Sequence, residues 1–143
     1  MGKLHLVLEG LRSTKGSLRV CLWSDGEGFP DCRKNTHVQR VNVAADAAMN
    51  GLANGVAGTS GEDGEERIVT LDLTDLPAGE YGISVIHDEN DNRRLDKGFI
   101  GLPAEGVGFS NNAKATFGPP KFKKARFPVA GETAQRIKIR YFL

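Results

Sequence analysis

The chain has 143 residues, which is enough for one domain with a substantial hydrophobic core. Nineteen basic and 18 acidic side chains give a net charge of +1, so the overall charge does not indicate a nucleic acid or a membrane surface as a partner. Apolar residues make up 39% of the chain. The sequence contains no run of 18 apolar residues, and we therefore predict no membrane-spanning helix.

Alternating apolar and polar residues predict half-buried β-strands along most of the chain. The predicted strands span residues 3–9, 17–23, 38–43, 67–73, 81–86, 122–129 and 135–142. The first two are expected to pair as an antiparallel hairpin, and residues 99–109 are expected to be irregular. About seven short strands without a convincing helix indicate an all-β protein, an antiparallel β-sandwich that forms one domain over residues 1–143.

The two cysteines, Cys21 and Cys32, have ten residues between them. A bond between them would close a short loop, in which Gly26, Gly28 and Pro30 let the chain double back, and would stabilise the fold by roughly 3 kcal/mol. The alternative is a buried thiol on a strand and an unrelated thiol in a loop. The spacing favours the disulfide on the condition that the protein resides in an oxidising compartment.

The beginning of the chain bears on its location. Met1-Gly2-Lys3 runs directly into a strand pattern, without the apolar segment of a signal peptide. We therefore expect either a cytosolic protein or a mature chain from which a targeting segment has been removed.

The strongest chemical signal is the segment that follows the predicted strand 81–86. Numbered from Asp88, its oxygen-bearing groups occupy positions one, three, five, seven and nine of an EF-hand loop, which bind Ca²⁺. These groups are Asp88, Asn90, Asn92, the backbone carbonyl of Arg94, and Asp96. We therefore predict a candidate Ca²⁺ site with a structural role and a weak affinity, of about 10⁻⁴–10⁻³ M.

Two defining features of an EF-hand are missing from this segment. Arg93 stands where the loop needs glycine, and Phe99 stands where a bidentate glutamate is needed. The alternative is a metal-free loop in which the Asp and Asn side chains cap turns through their own backbone. Arg93 or Arg94 would then pair with Asp88 or with Asp96 and replace the metal.

Catalysis and transition-metal binding have weaker signals. No pair among His5, His37 and His87 has the spacing of metal ligands. Ser84 lies within a predicted strand and lacks the flanking glycines of a nucleophile elbow. We therefore predict that the protein is not an enzyme.

Two neighbouring regions form a candidate ligand surface: the glycine- and amide-rich residues 99–118 and the basic strand predicted within 121–127. The candidate residues are Phe109, Asn111, Asn112, Lys121, Lys123 and Lys124. Their ligand would be a protein, an anionic glycan or a small molecule such as a lipid head group. The alternative is a charged edge strand that prevents pairing between sheet edges.

Several short motifs follow one another along nearly the whole chain. They are Gly10-Leu11-Arg12-Ser13, Lys15-Gly16, Glu27-Gly28-Phe29-Pro30, Leu76-Pro77-Ala78-Gly79-x-Tyr81, His87-Asp88-Glu89-Asn90, Leu95-Asp96, Gly108-Phe109-Ser110-Asn111-Asn112-Ala113 and Phe117-Gly118-Pro119-Pro120. In this order they resemble the DUF2141 family of bacterial proteins of unknown function, which are usually made with a signal peptide. The resemblance implies an immunoglobulin-like or prealbumin-like sandwich and a periplasmic or secreted protein, and it implies no enzyme activity.

The chain departs from the family pattern in the candidate metal loop. Asp91 and Arg93 stand where the family commonly has glycine. Cys21 and Cys32 occur in only some members, which agrees with an optional disulfide.

Overall fold

The computed structural model describes residues 2–13, 15–45, 52–53, 56–57, 67–89, 106–114 and 120–141. Its strands are β1 (Gly2–Leu11), β2 (Ser17–Trp23), β3 (Gln39–Ala44), β4 (Leu52–Ala53), β5 (Val56–Ala57), β6 (Arg67–Leu76), β7 (Gly79–Asp88), β8 (Gly106–Phe109), β9 (Phe127–Val129) and β10 (Glu132–Lys138). One sheet has the order β10-β1-β6, and the other has the order β3-β2-β7-β8, with β9 also paired to β7. The short strands β4 and β5 pair with each other.

One hydrophobic core lies between the two main sheets. The first sheet contributes Leu4, Leu6 and Leu8 of β1, and the second contributes Ile83 and Val85 of β7, all of which are fully buried. These residues recur at every second position because successive side chains of a strand point to opposite faces. The all-β sandwich predicted from the alternating pattern is therefore confirmed.

The predicted hairpin of the first two strands is wrong. β1 pairs with β6 and β10, whereas β2 pairs with β3 and β7, so the connection between β1 and β2 passes from one sheet to the other. Residues 76–79 likewise pass between sheets, since they join β6 of the first sheet to β7 of the second. Alternation tells which face of a strand is buried, but it does not tell which sheet the strand joins.

The first sheet is mixed, which the expected antiparallel arrangement did not include. β10 runs parallel to β1, with Lys3 opposite Glu132 and Glu9 opposite Lys138. After β10 the chain crosses to the second sheet, where Val107 and Arg140 exchange two backbone hydrogen bonds of 2.9 and 2.8 Å. This bridge joins the two sheets along one side of the sandwich.

Two segments differ from their predicted structure. Residues 122–129 were expected to form one strand, but they form a short helix, α1 (Phe122–Ala125), followed by β9. Residues 106–109, expected to be irregular, form β8, which pairs with β7. Its glycines are packing sites, because a Cβ on Gly108 would lie 2.7 Å from Ile137 and one on Gly106 would lie 2.6 Å from Ile139.

A smaller apolar cluster covers the outer face of the second sheet. Trp23 is fully buried there, with the rings of Phe29 and Phe122 packed above the sheet. A disulfide between Cys21 and Cys32 ties the segment after β2 to this face, which confirms the predicted bond. In the part of the chain that the structure describes, no helix is long and apolar enough to cross a membrane.

Candidate functional site at the end of β7

Three consecutive polar side chains, those of His87, Asp88 and Glu89, stand where β7 ends and the candidate metal loop begins. Each of them binds a different part of the connection between β1 and β2 or of β2 itself. Their contacts therefore determine how the first residues of the loop are held.

His87 lies on the inner face of β7 and is fully buried. Its Nε2 is 2.8 Å from the carbonyl oxygen of Lys15, and its Nδ1 is 2.6 Å from the hydroxyl of Tyr141. A carbonyl oxygen only accepts hydrogen bonds, so Nε2 holds the ring proton. Burial disfavours the charged imidazolium and lowers the pKa of His87 below its ordinary value, although the hydrogen bond to Lys15 acts in the opposite direction.

Asp88 points to the outer face of β7, and its side chain is fully buried as well. The Nε of Arg19 donates a hydrogen bond of 2.9 Å to its Oδ2. The two residues are diagonal neighbours on adjacent strands, since Arg19 lies opposite Ile86 and Asp88 lies opposite Ser17. The carboxylate therefore has a cationic partner within the protein.

Glu89 is the first residue after β7 and is held by two side chains. Nε and Nη2 of Arg12 both donate to its Oε1, at 3.1 and 2.5 Å, and the hydroxyl of Ser13 donates to its Oε2 at 2.6 Å. Burial acts to raise the pKa of Glu89, but the hydrogen bonds from Arg12 and Ser13 outweigh it and hold the pKa below the ordinary value. Glu89 is therefore a carboxylate at neutral pH.

Close backbone packing accompanies these side-chain contacts. Gly16 has a φ of +67°, and a Cβ at this position would overlap the carbonyl oxygen of Asp88. The guanidinium of Arg12 also lies 4.4 Å from the centre of the Tyr141 ring, and the Arg12 backbone N–H donates to the Tyr141 hydroxyl at 3.1 Å. We call the set of His87, Asp88, Glu89 and their partners in residues 12–19 and 141 the β7 anchor.

The structure describes only one of the five residues predicted to bind calcium. Asp88 is described, and Asn90, Asn92, Arg94 and Asp96 lie outside the described residues. Within the described residues, no three His, Cys, Asp or Glu side chains are grouped so that they could hold a metal ion. The Ca²⁺ site stays a prediction, and Arg19 is a competitor for one of its proposed ligands.

The three histidines have separate partners. His5 binds Asp72 on the outer face of the first sheet, with 2.5 Å between Nδ1 and Oδ1. His37 binds Asp25 in the segment after β2 at 3.3 Å. His87 contacts neither, so the structure does not bring the three together.

Ser84 is buried on the outer face of β7. Its hydroxyl accepts a hydrogen bond of 2.9 Å from Nε1 of Trp23 and lies 3.7 Å from Sγ of Cys32. The serine thus links the small apolar cluster to the sheet.

The predicted ligand-surface residues have different environments. Phe109 is 7% exposed and packs beside Phe29, with ring centroids 6.1 Å apart. The three lysines on and beside α1 are exposed. Asn111 and Asn112 are exposed too, but their side chains bind neighbouring backbone.

These amides cover the open edge of β10. Asn112 Oδ1 accepts from the backbone N–H of Lys138 at 3.0 Å, and the Asn111 backbone N–H donates to Gln135 Oε1 at 3.0 Å. Asn111 Nδ2 also donates to the carbonyl oxygens of Lys124 and Arg126, at 3.2 and 2.9 Å. The hydrogen bonds of Asn111 and Asn112 therefore join β10 to the residues around α1.

The sequence interpretation did not identify Arg12, Arg19 or Tyr141 as partners of the candidate loop. It assigned that role to Arg93 or Arg94, which are adjacent in sequence and lie outside the described residues. The one available signal was Arg19 itself, a charged side chain on the face of the β2 pattern opposite to Leu18 and Val20.

Comparison with known proteins gives one match. No curated protein and no solved structure is significantly similar to this chain. A family model described as an uncharacterized protein conserved in bacteria, DUF2141, matches residues 6–138. This match covers most of both sheets and all of the β7 anchor except Tyr141, and the chain therefore belongs to the DUF2141 family.

Proposed function

We propose that this protein is an exported, non-catalytic binding or structural module that presents ligand-contacting loops at the β7 end of its sandwich. The observation that carries the proposal is the β7 anchor, in which His87, Asp88 and Glu89 each have a partner outside β7. A loop that starts from a rigid frame is the usual arrangement of a binding surface on a β-sandwich.

The environments of the possible catalytic groups favour a non-catalytic role. The Ser84 hydroxyl contacts Trp23, both ring nitrogens of His87 have internal partners, and Cys21 is bonded to Cys32. A nucleophile and a base within reach of one another and of a substrate are needed for covalent hydrolysis. These side chains serve the interior of the protein instead.

The disulfide favours a periplasmic or extracellular location. Disulfides persist in oxidising compartments and are reduced in the cytosol of most organisms. Both cysteines of the chain are in this bond, and it holds the segment that covers Trp23. Export of a mature chain agrees with this use of cysteine.

The ion pair of Arg19 with Asp88 favours an anchor that does not depend on metal. A guanidinium at 2.9 Å already compensates the carboxylate, and it would repel a divalent cation that shared the same group. In this arrangement Arg19 has the role that the metal-free alternative assigned to Arg93 or Arg94.

A Ca²⁺-stabilised loop is the second candidate. It is favoured by the regular oxygen spacing of Asp88, Asn90, Asn92, the Arg94 carbonyl and Asp96. In that case Ca²⁺ would order the loop after the anchor and would have no catalytic part.

Hydrogen exchange at residues 85–89 tests the proposal. We expect strong protection of these amides in EDTA, no change with millimolar Ca²⁺, and faster exchange after Arg19→Ala. Arg136→Ala is the matched control, because Arg136 forms an exposed ion pair with Glu9 and should leave residues 85–89 unchanged.

Two results would overturn parts of this proposal. Protection that requires Ca²⁺ would favour the second candidate. Turnover of a small-molecule substrate that is abolished by His87→Gln, in a variant that retains its fold, would refute the non-catalytic role.

A further inference from the structure

Charge is distributed unevenly along this nearly neutral chain. From residue 106 to the end there are eight basic residues and one acidic residue, Glu132. The described structure collects most of these basic residues around α1, the short 3₁₀ turn Ser110–Asn112 and the end of β10. We call six exposed members of this group the basic face: Lys114, Lys121, Lys123, Lys124, Lys138 and Arg140.

Hydrogen bonds hold the parts of the basic face in fixed positions. Asn111 binds the carbonyl oxygen of Lys124, and Asn112 binds the backbone N–H of Lys138. Lys138 and Arg140 line one small depression together with Asn112. Hydrogen bonds within the protein therefore hold the backbone that carries these cations.

Ion pairing distinguishes the basic face from other basic residues of this region. Two other basic residues of this region have them, since Arg126 pairs with Glu80 at 2.6 Å and Arg136 pairs with Glu9 at 2.9 Å. Among the residues that the structure describes, none of the six members of the basic face forms an ion pair. A concentration of uncompensated charge of one sign attracts a ligand of the opposite sign.

Protection of a strand edge does not account for these charges. Lys123 and Lys124 belong to a helix and not to an edge strand. The edge of β10 near Lys138 is covered by the side-chain amide of Asn112 and by the Gln135 contact with Asn111. Charge is therefore not needed there to block strand pairing.

The two apolar side chains of α1, which lies within the basic face, pack against the protein, and this distinguishes between classes of partner. Phe122 lies on the bare backbone of Gly82, and Ala125 is fully buried. Membrane-surface segments place apolar side chains beside their lysines, and single-stranded nucleic acids stack on exposed aromatic rings. Protein interfaces have an apolar centre. The described surface around the basic face presents charged and amide groups, without exposed aromatic rings or an apolar centre.

We propose that the basic face binds an anionic polysaccharide that has carboxylate or phosphate groups along its length. This proposal rests on the proposed binding function and specifies its partner. A repeating anion matches several separated lysines better than a single small anion does, because each ammonium group can meet a different charge on the polymer.

Binding to polygalacturonate, a polymer with one carboxylate per sugar, tests the proposal. We expect binding that weakens as salt is added, no binding to neutral dextran, and an apparent Kd raised about tenfold by Lys123→Ala/Lys124→Ala. Lys138→Ala/Arg140→Ala should give a similar loss, so that the conclusion does not depend on one variant. The matched control is Lys3→Ala/Lys34→Ala, which removes two exposed cations elsewhere and should change Kd by less than about twofold.

Absence of binding at low ionic strength, or equal losses in the basic-face and control variants, would overturn the proposal. Binding to phosphatidylglycerol vesicles or to an oligonucleotide with no binding to polygalacturonate would also overturn it, in favour of a lipid or a nucleic acid. Each of these failures leaves exchange at residues 85–89 unaffected, so the proposed function is judged separately.

Discussion

Arg19 and Asp88 form a partly buried diagonal ion pair between β2 and β7. Nε of Arg19 is 2.9 Å from Oδ2 of Asp88, and the two side chains are 21% and 0% exposed. The negative charge at the first position of the candidate metal loop is therefore compensated by the sheet on which the loop is built. This relationship links the stability of the fold to the behaviour of the loop.

The first prediction concerns this ion pair. Arg19→Ala leaves the Asp88 carboxylate buried without its guanidinium and should lower the free energy of unfolding by about 3 kcal/mol. Urea unfolding measures the change. The exposed pair of Arg136 and Glu9 is the control, and Arg136→Ala should cost less than about 1 kcal/mol. Equal costs for the two arginines would show that Arg19 has no special role.

The second prediction concerns pH. Burial lowers the pKa of His87 in the folded state, so the unfolded chain takes up this proton at a higher pH than the folded protein does. The resulting stability is fully present above the unfolded pKa of about 6.5 and decreases as the pH falls towards the folded pKa. The free energy of unfolding should fall by up to about 1.4 kcal/mol per pH unit in this window.

Unfolding between pH 7.5 and 5 in wild type and in His87→Gln checks the assignment, because the variant should lose this part of the slope. His37→Gln is the control, since His37 is an exposed residue that pairs with Asp25. Glu89 does not affect the free energy of unfolding in the pH range where His87 titrates. The pKa of Glu89 is held low, so its contribution to stability is lost only in stronger acid. An unchanged slope in His87→Gln would assign the pH dependence to other groups.

The third prediction concerns the disulfide. Cys21→Ala/Cys32→Ala should lower the free energy of unfolding by roughly 3 kcal/mol, since the bond closes a short loop. Hydrogen exchange should increase in residues 24–38, which the bond ties to the sheet, and less in the strands of the first sheet. Reductant should lower the stability of wild type and leave the variant unchanged. A reductant effect of the same size in both would contradict the assignment.

The fourth prediction concerns Asn111, which has a φ of +60° and covers the edge of β10. Asn111→Ala loses the side-chain bonds to two carbonyls and adds the cost of a left-handed backbone, and it should destabilise by about 2 kcal/mol. Asn111→Gly keeps the favourable backbone and should recover about 1 kcal/mol of this loss. Thermal unfolding of the two variants separates the contributions. Equal stabilities would mean that backbone conformation plays no part.

The strands themselves could be predicted because apolar residues alternate in them. Leu4, Leu6 and Leu8 point into the core from β1, as Leu18 and Val20 do from β2. The pairing of these strands could not be predicted, because a strand with one apolar face buries it equally well from either sheet. The long-range pairing of β1 with β10, across most of the chain, leaves no local signal in the sequence.

Two further failures have their cause in tertiary packing. Phenylalanine is common in strands, which favoured a strand at Phe122. Its ring instead packs on Gly82 of β7, and the helical turn of α1 places it in that position. β8 has glycines where a strand pattern needs side chains, because Ile137 and Ile139 fill the space above them. In both cases a tertiary contact decides the backbone conformation.

The side-chain contacts around Asp88 could not be predicted from the sequence. The oxygen-rich segment drew attention to Asp88, yet the partners of Asp88 and Glu89 are Arg19 and Arg12, about 70 residues earlier in the chain. Such contacts follow from the register of β2 against β7. A sequence interpretation that misses the register therefore looks for partners among neighbouring residues.

The most direct test of the account is thermal unfolding in EDTA and with millimolar Ca²⁺, in wild type, Asp96→Ala and Asp88→Asn. Asp96→Ala is the metal-specific variant, because Asp88→Asn also disturbs the ion pair with Arg19. An anchor that depends on the protein alone predicts the same Tm for wild type in both solutions, and a Tm for Asp88→Asn that is lower by the same amount in each. A Ca²⁺-dependent rise of Tm in wild type that is absent in Asp96→Ala would contradict the account, because a ligand of the folded state stabilises it by about 2.7 kcal/mol at one hundred times its Kd.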